Sequence, residues 1–138
     1  MNLILKRISA ETTVRDIEEF IAPALKGGWF KKTGIMRNLR IQMLKEAGSV
    51  QTEFHARVSI EPDAAALRVI KKLNRKPCRG KPINVLEYHF RHRDNDRRQD
   101  RHLQAVEHRK ADRRRKNLEA KDVTAAKSAA RIDFSMFE

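Results

Sequence analysis

From Arg91 to Lys116 the sequence reads RHRDNDRRQDRHLQAVEHRKADRRRK, with Leu103 and Val106 as its only sizeable aliphatic residues. So little apolar surface cannot offset the conformational entropy lost on ordering a chain. Any core in these 138 residues must therefore come mainly from the part before Arg91, which is long enough for one ordinary domain. The expected organisation is a domain over residues 1–91 and a basic tail over 92–138, partly helical or disordered.

Within the first part the hydrophobic period changes repeatedly. Leu3, Leu5 and Ile8 form a short aliphatic run closed by Ser9, as in a buried strand. Thr13 followed by Asp16 has the form of a helix N-cap, and Val14, Ile17, Ile21 and Leu25 recur at helical spacing until Gly27 and Gly28. Ile35, Leu39, Ile41 and Met43 then share one parity, with Asn38, Arg40 and Gln42 on the other. After a turn at Ala47, Gly48 and Ser49, Phe54, Ala56, Val58 and Ile60 alternate with Glu53, His55, Arg57 and Ser59, which predicts a hairpin. Pro62 and Asp63 open a second helix with a stripe of Ala66, Leu67, Ile70 and Leu73. Pro77, Gly80 and Pro82 predict a loop. Ile83 and Val85 begin a fourth strand, with Asn84, Leu86, Tyr88 and Phe90 on its opposite face.

The predicted order is β-α-β-β-α-β. Right-handed crossovers would place both helices on one side of a four-stranded antiparallel sheet, an α+β arrangement of ferredoxin-like type. The other side is then open. By parity it carries Ile4, Lys6, Asn38, Arg40, Gln42, His55, Arg57, Asn84, Leu86 and Tyr88. Trp29 and Phe30, after Gly28, are expected to plug the core, since a small domain needs its large side chains inside.

Residues 2–90 resemble the RNA-recognition-motif family. ALRVIKKLNRKPCRGKPINV, Ala66 to Val85, looks like that family's second helix, its Leu-Asn pair, the Gly before the last strand and the start of that strand. Counting back places the family's octamer on EFHARVSI, Glu53 to Ile60, and its hexamer on LILKRI, Leu3 to Ile8. The core-facing positions agree with the family. At the RNA-facing positions, Ile4, His55 and Arg57 stand where the family stacks bases on aromatics, and Glu53 stands where a basic residue usually meets phosphate. The resemblance implies single-stranded RNA bound on the sheet. Here Arg57 and His55 would take part of the stacking role as flat cationic or imidazole planes, with Tyr88 and Phe90 supplying aromatic rings.

Charge points the same way. Lys and Arg number 31 against 18 Asp and Glu, a formal net charge of +13, which favours polyanionic partners through phosphate neutralisation and counterion release. The candidate RNA-binding residues are Ile4, Lys6, Arg40, His55, Arg57, Asn84, Leu86, Tyr88 and Phe90 on the sheet, and Arg91, Arg93, Arg113, Arg114 and Arg115 in the tail. The expected partner is RNA, on a messenger or a ribosome or in another ribonucleoprotein. Two alternatives belong to other classes: a protein-docking module tethered by the apolar C-terminal peptide IDFSMFE, and duplex DNA binding through the tail.

Other chemistry finds little footing. No nucleophile stands beside a base in a known motif and no Gly-rich phosphate loop occurs, so no catalytic role and no cofactor are expected. His89 and His92 lack a companion cysteine or carboxylate cluster, so no metal is expected there. Cys78 is the only cysteine, which rules out an internal disulfide and fits a reducing, cytoplasmic setting. The run Leu3–Leu5 is too short for a signal-peptide core, and no stretch approaches a membrane span.

Overall fold

The computed structural model describes residues 1–27, 32–90 and 118–129. Their elements run β1 (Asn2–Ile8), α1 (Val14–Leu25), β2 (Ile35–Glu46), β3 (Thr52–Glu61), α2 (Asp63–Leu73), β4 (Pro77–Cys78), β5 (Lys81–Pro82), β6 (Asn84–Glu87), β7 (Leu118–Asp122) and α3 (Thr124–Ala129). The architecture is mixed α+β. Five strands make one antiparallel sheet in the order β6-β1-β3-β2-β7, and β4 pairs with β5 as a separate two-stranded ribbon.

Helices α1 and α2 cover one face of this sheet. Leu3, Leu5, Ile41, Ala56, Val58, Ile60 and Val85 point into it from the strands, and Ile17, Ile21, Ala65, Ala66 and Val69 meet them from the helices. Burying each large aliphatic side chain contributes roughly 1.5–3 kcal/mol. Helix α1 starts on the expected cap, in both directions: the Thr13 N–H donates to Asp16 Oδ2 at 2.8 Å, and the Asp16 N–H donates to Thr13 Oγ1 at 3.2 Å.

The spacing of Leu5 and Ile8, three residues apart on one strand, requires the parity to slip once if both are to be buried. It slips at Arg7, which takes a positive φ of 65° while the register with β3 shifts between Lys6 and Ile8. A second bulge lies in β2 between Arg37 and Arg40, where Asn38 has φ 52°. Asn tolerates this left-handed conformation better than most side chains. The bulge corrects one expectation: Ile35 pairs with Glu61 and is 55% exposed, and Met36 packs against the core in its place.

Three further expectations are corrected. The sheet has five strands, not four, because Leu118–Asp122 from the tail adds β7 to the free edge of β2. The apolar stripe of α2 is Ala65, Ala66 and Val69, with Ile70 and Leu73 at its margin, while Leu67 is 55% exposed. The expected loop around Gly80 is a tight β4–β5 hairpin, its turn made by Arg79 and Gly80, both at positive φ.

The tail is anchored where it is described. Val123 packs against the core and its N–H donates to the Ile41 carbonyl at 2.9 Å, while the Ile41 N–H donates to Thr124 Oγ1 at 2.9 Å. Lys127 donates to the carbonyls of Ala10 and Thr12 and lies over the Phe54 ring, 4.7 Å from its centre. No described helix is long and apolar enough to cross a membrane. Trp29, Phe30, Arg91, Arg93, Arg113, Arg114, Arg115 and the segment IDFSMFE lie outside the described residues.

Candidate nucleic-acid interface

Strand register decides what shares the uncovered face. In one row Leu86 stands beside Ile4, Ile4 beside Arg57, and Arg57 beside Arg40. In the next row Asn84, Lys6, His55, Gln42 and Asp122 follow one another across all five strands. The predicted face is therefore assembled as parity requires.

Beyond β6 the pairing is continued by the Tyr88 N–H, which donates to the Asn2 carbonyl at 2.8 Å. This brings Tyr88 alongside β1. Arg57 reaches it from β3: Nη1 donates to the Tyr88 hydroxyl at 3.2 Å, and the guanidinium carbon lies 5.2 Å from the ring centre. Phe90 meets Tyr88 edge to face, with ring centres 5.1 Å apart and planes at 82°. Asn2 and Ser59, cross-strand neighbours, are joined by a Ser59 hydroxyl to Asn2 Oδ1 bond of 2.5 Å.

Together Asn2, Asn38, Arg40, Arg57, Val58, Ser59, Tyr88 and Phe90 line an open hollow of about 310 Å³. Two guanidinium groups, two aromatic rings and several amide and hydroxyl groups converge on it. Phe90 is 54% exposed and Leu86 40%, so apolar surface is available beside the cations. Cross-strand pairing of Arg40 with Arg57 sets like charges opposite each other, an arrangement that an anion between them would relieve. Arg57 Nε is buried without a hydrogen-bond partner among the described residues, which is costly for a charged donor.

The second row is different in character. The His55 side chain is only 15% exposed and its Nε2 lies 3.5 Å from Glu53 Oε2, so its ring is turned to a neighbour and is a poor stacking platform. Lys6 and Asn84 are half-buried beside it. Asp122, on β7, is held below the usual carboxylate range by hydrogen bonds from the Thr124 hydroxyl and N–H, with smaller help from Arg40 and Arg57.

Of the expected sheet residues, Arg40, Arg57, Tyr88 and Phe90 meet in the hollow, while Ile4, Leu86, Lys6, His55 and Asn84 share the face without lining it. Asn2, Asn38 and Ser59 line it without being singled out by the sequence as binding residues. Asn2 and Ser59 share parity with Ile4 and Arg57, a signal present in the alternation. No protein-family model matches the chain, and no curated protein matches it.

Proposed function

We propose that this chain is a non-enzymatic RNA-binding protein that takes single-stranded or structured RNA on its open sheet face. The observation that carries the reading is the cluster of Arg57, Arg40, Tyr88 and Phe90 around one hollow. Rings accept bases by stacking and guanidinium groups attract phosphate or stack as planes, which is the combination single-stranded nucleic acid requires. The +13 charge supports a polyanionic ligand. Four of the strands, in the order β6-β1-β3-β2 with α1 and α2 behind them, support a ferredoxin-like core of the RNA-recognition-motif kind, to which β7 adds an edge. Sequence specificity would be modest, because among the described residues only the two rings after β6 offer aromatic stacking on this face.

An amide NMR titration of the full chain with a short random-sequence single-stranded RNA pool, at low and moderate salt, tests this. Shifts centred on Arg40, Arg57, Tyr88 and Phe90 are expected, weakening as salt rises. Absence of shifts at those four positions would overturn the reading.

A further inference from the structure

A second cationic surface lies outside the hollow. Between Ile70 and Asn84 the chain carries Lys71, Lys72, Arg75, Lys76, Arg79 and Lys81, with no acidic residue among them. All six side chains are exposed. Only Arg79 has a built role: its Nη1 donates to the Glu11 carbonyl and to Asp16 Oδ2, both at 3.1 Å, tying the β4–β5 hairpin to the start of α1. The other five make no ion pair among the described residues. A favourable position at the C-terminus of α2 accounts for Lys71 and Lys72. It does not account for Arg75, Lys76 and Lys81, which follow the helix.

These three sit on an ordered frame. The Arg75 N–H donates to the Ile83 carbonyl at 2.8 Å, and the Ile83 N–H donates to the Lys76 carbonyl at 3.2 Å. Arg75 takes a positive φ of 63° to do so. A non-glycine residue held in this conformation is a reason to ask what its exposed side chain does. The frame also joins the patch to the sheet: Ile83 leads directly into β6, whose Asn84 stands beside Lys6 on the open face.

We infer that Lys71, Lys72, Arg75, Lys76 and Lys81 form a phosphate-binding surface for a double-helical RNA stem that adjoins the single strand held on the sheet. This rests on the RNA-binding reading above. The chemistry separates the two surfaces. Residues 71–82 contain no aromatic side chain, so the patch has nothing on which a splayed base can stack. It offers positive charge alone, which suits a ligand whose bases are turned inward and whose phosphates face out. Uncompensated like charges on neighbouring turns repel one another, and bound phosphates remove that repulsion.

The test uses the full chain and three fluorescent RNAs: an eight-nucleotide single strand, a blunt hairpin, and the same hairpin with that strand as an overhang. A DNA hairpin of matching sequence is the fourth probe. Anisotropy titrations compare the wild type, a variant carrying Lys71→Gln, Lys72→Gln, Lys76→Gln and Lys81→Gln, and Arg57→Gln. Because the four lysines are exposed, the quadruple variant should keep its native circular dichroism and melting temperature. The wild type is expected to bind the overhang hairpin at least roughly tenfold more tightly than the single strand, and the quadruple variant to lose that gain while binding the single strand within about twofold of wild type. The salt dependence on the blunt hairpin should flatten by about three units of slope in the quadruple variant and by no more than one in Arg57→Gln. Equal losses on single strand and hairpin, no gain from the stem, or tighter binding of the DNA hairpin would overturn the inference. Loss of single-strand binding in neither variant, with hairpin binding still dependent on the lysines, would overturn the sheet-face reading and leave the stem surface standing.

Discussion

Arg57 on β3 and Tyr88 beyond β6 are joined twice, by a 3.2 Å hydrogen bond from Nη1 to the phenol and by a guanidinium that lies 5.2 Å from the ring centre. Strand β1 lies between their strands. The pair therefore ties the sheet's edge to its middle across the uncovered face and fixes the orientation of the ring that Phe90 abuts.

If that ring stacks on a base, its two features separate by substitution. Tyr88→Phe removes the hydroxyl and keeps the platform, so RNA affinity should change by no more than about 1 kcal/mol, the net worth of a half-exposed hydrogen bond. Tyr88→Ala removes the platform and should weaken binding by about 1–3 kcal/mol. Arg57→Gln should reduce the slope of log affinity against log salt by about 0.7 for each phosphate it ceases to neutralise. Fluorescence anisotropy over a salt series measures all three. Equal behaviour of Tyr88→Phe and Tyr88→Ala would show that the ring does not stack.

Packing behind the sheet is tight at Gly34, between the described end of α1 and the start of β2. A Cβ added there would lie 2.7 Å from the Ala65 Cβ and 2.8 Å from Leu25 Cδ2, and the Gly34 N–H already donates to the Leu25 carbonyl at 2.9 Å. No flexible side-chain tip is available to yield at Ala65. Gly34→Ala should therefore destabilise the fold by about 1–3 kcal/mol, measured as a lower urea midpoint with an unchanged m-value. A midpoint equal to wild type would mean that α2 can shift away from β2 at little cost.

How far the sequence foretells this structure can be judged at particular residues. Alternation foretells β1, β3 and β6 and the membership of the open face, since period two leaves each side chain a single face. It misplaces Ile35 because a bulge at Asn38 reverses parity, and nothing in a binary pattern marks which residue will be extra. It misses β7 for another reason. LEAKD lies along an edge with every residue exposed, so its pairing depends on backbone hydrogen bonds and leaves no buried stripe to read. The hollow is half legible: Arg40, Arg57, Tyr88 and Phe90 stand out by type, whereas Asn2 and Ser59 matter only through their place in the register.

Cys78 offers a probe of the β4–β5 hairpin. It is 5% exposed, and burial, with the Asp16 carboxylate adding to it, pushes its thiol above the usual 9.0, partly opposed by Arg79. Its folded-state pKa is raised, so the protonated thiol's contribution to stability is complete below the ordinary thiol pKa and is lost as pH rises through the higher folded value. At pH 8 alkylation of the native protein should be far slower than in urea. Arg79→Ala should accelerate it by freeing the hairpin from Glu11 and Asp16. Any acceleration would report opening and not thiolate chemistry, because loss of the Arg79 charge alone raises the pKa further. Mass-spectrometric alkylation rates unchanged in Arg79→Ala would show that the hairpin stays closed without this anchor.

The attachment of β7 and α3 should depend on pH through Asp122. Its Oδ1 accepts the Thr124 N–H at 2.9 Å and the Thr124 hydroxyl at 2.5 Å, and the same hydroxyl oxygen accepts the Ile41 N–H from β2. The hydrogen bonds favour the carboxylate, so the folded pKa lies below the ordinary 3.8. A group depressed in this way stabilises the attached state fully above its unfolded pKa, and that contribution is lost as pH falls through the folded value. Above pH 5 the attachment should thus be insensitive to pH. As pH falls through that depressed folded value, protonation of Asp122 weakens its hold on the Thr124 hydroxyl and N–H, and the Ile41 and Val123 amides should exchange faster than amides of the β1–β3 ladder. Asp122→Ala should show that faster exchange at pH 6 already, with no further change specific to these two amides on acidification. Hydrogen exchange followed by NMR over a pH series running from pH 6 down through the titration of Asp122 decides between this and a uniform acid loosening of the sheet, in which the ladder amides would accelerate in step with Ile41 and Val123.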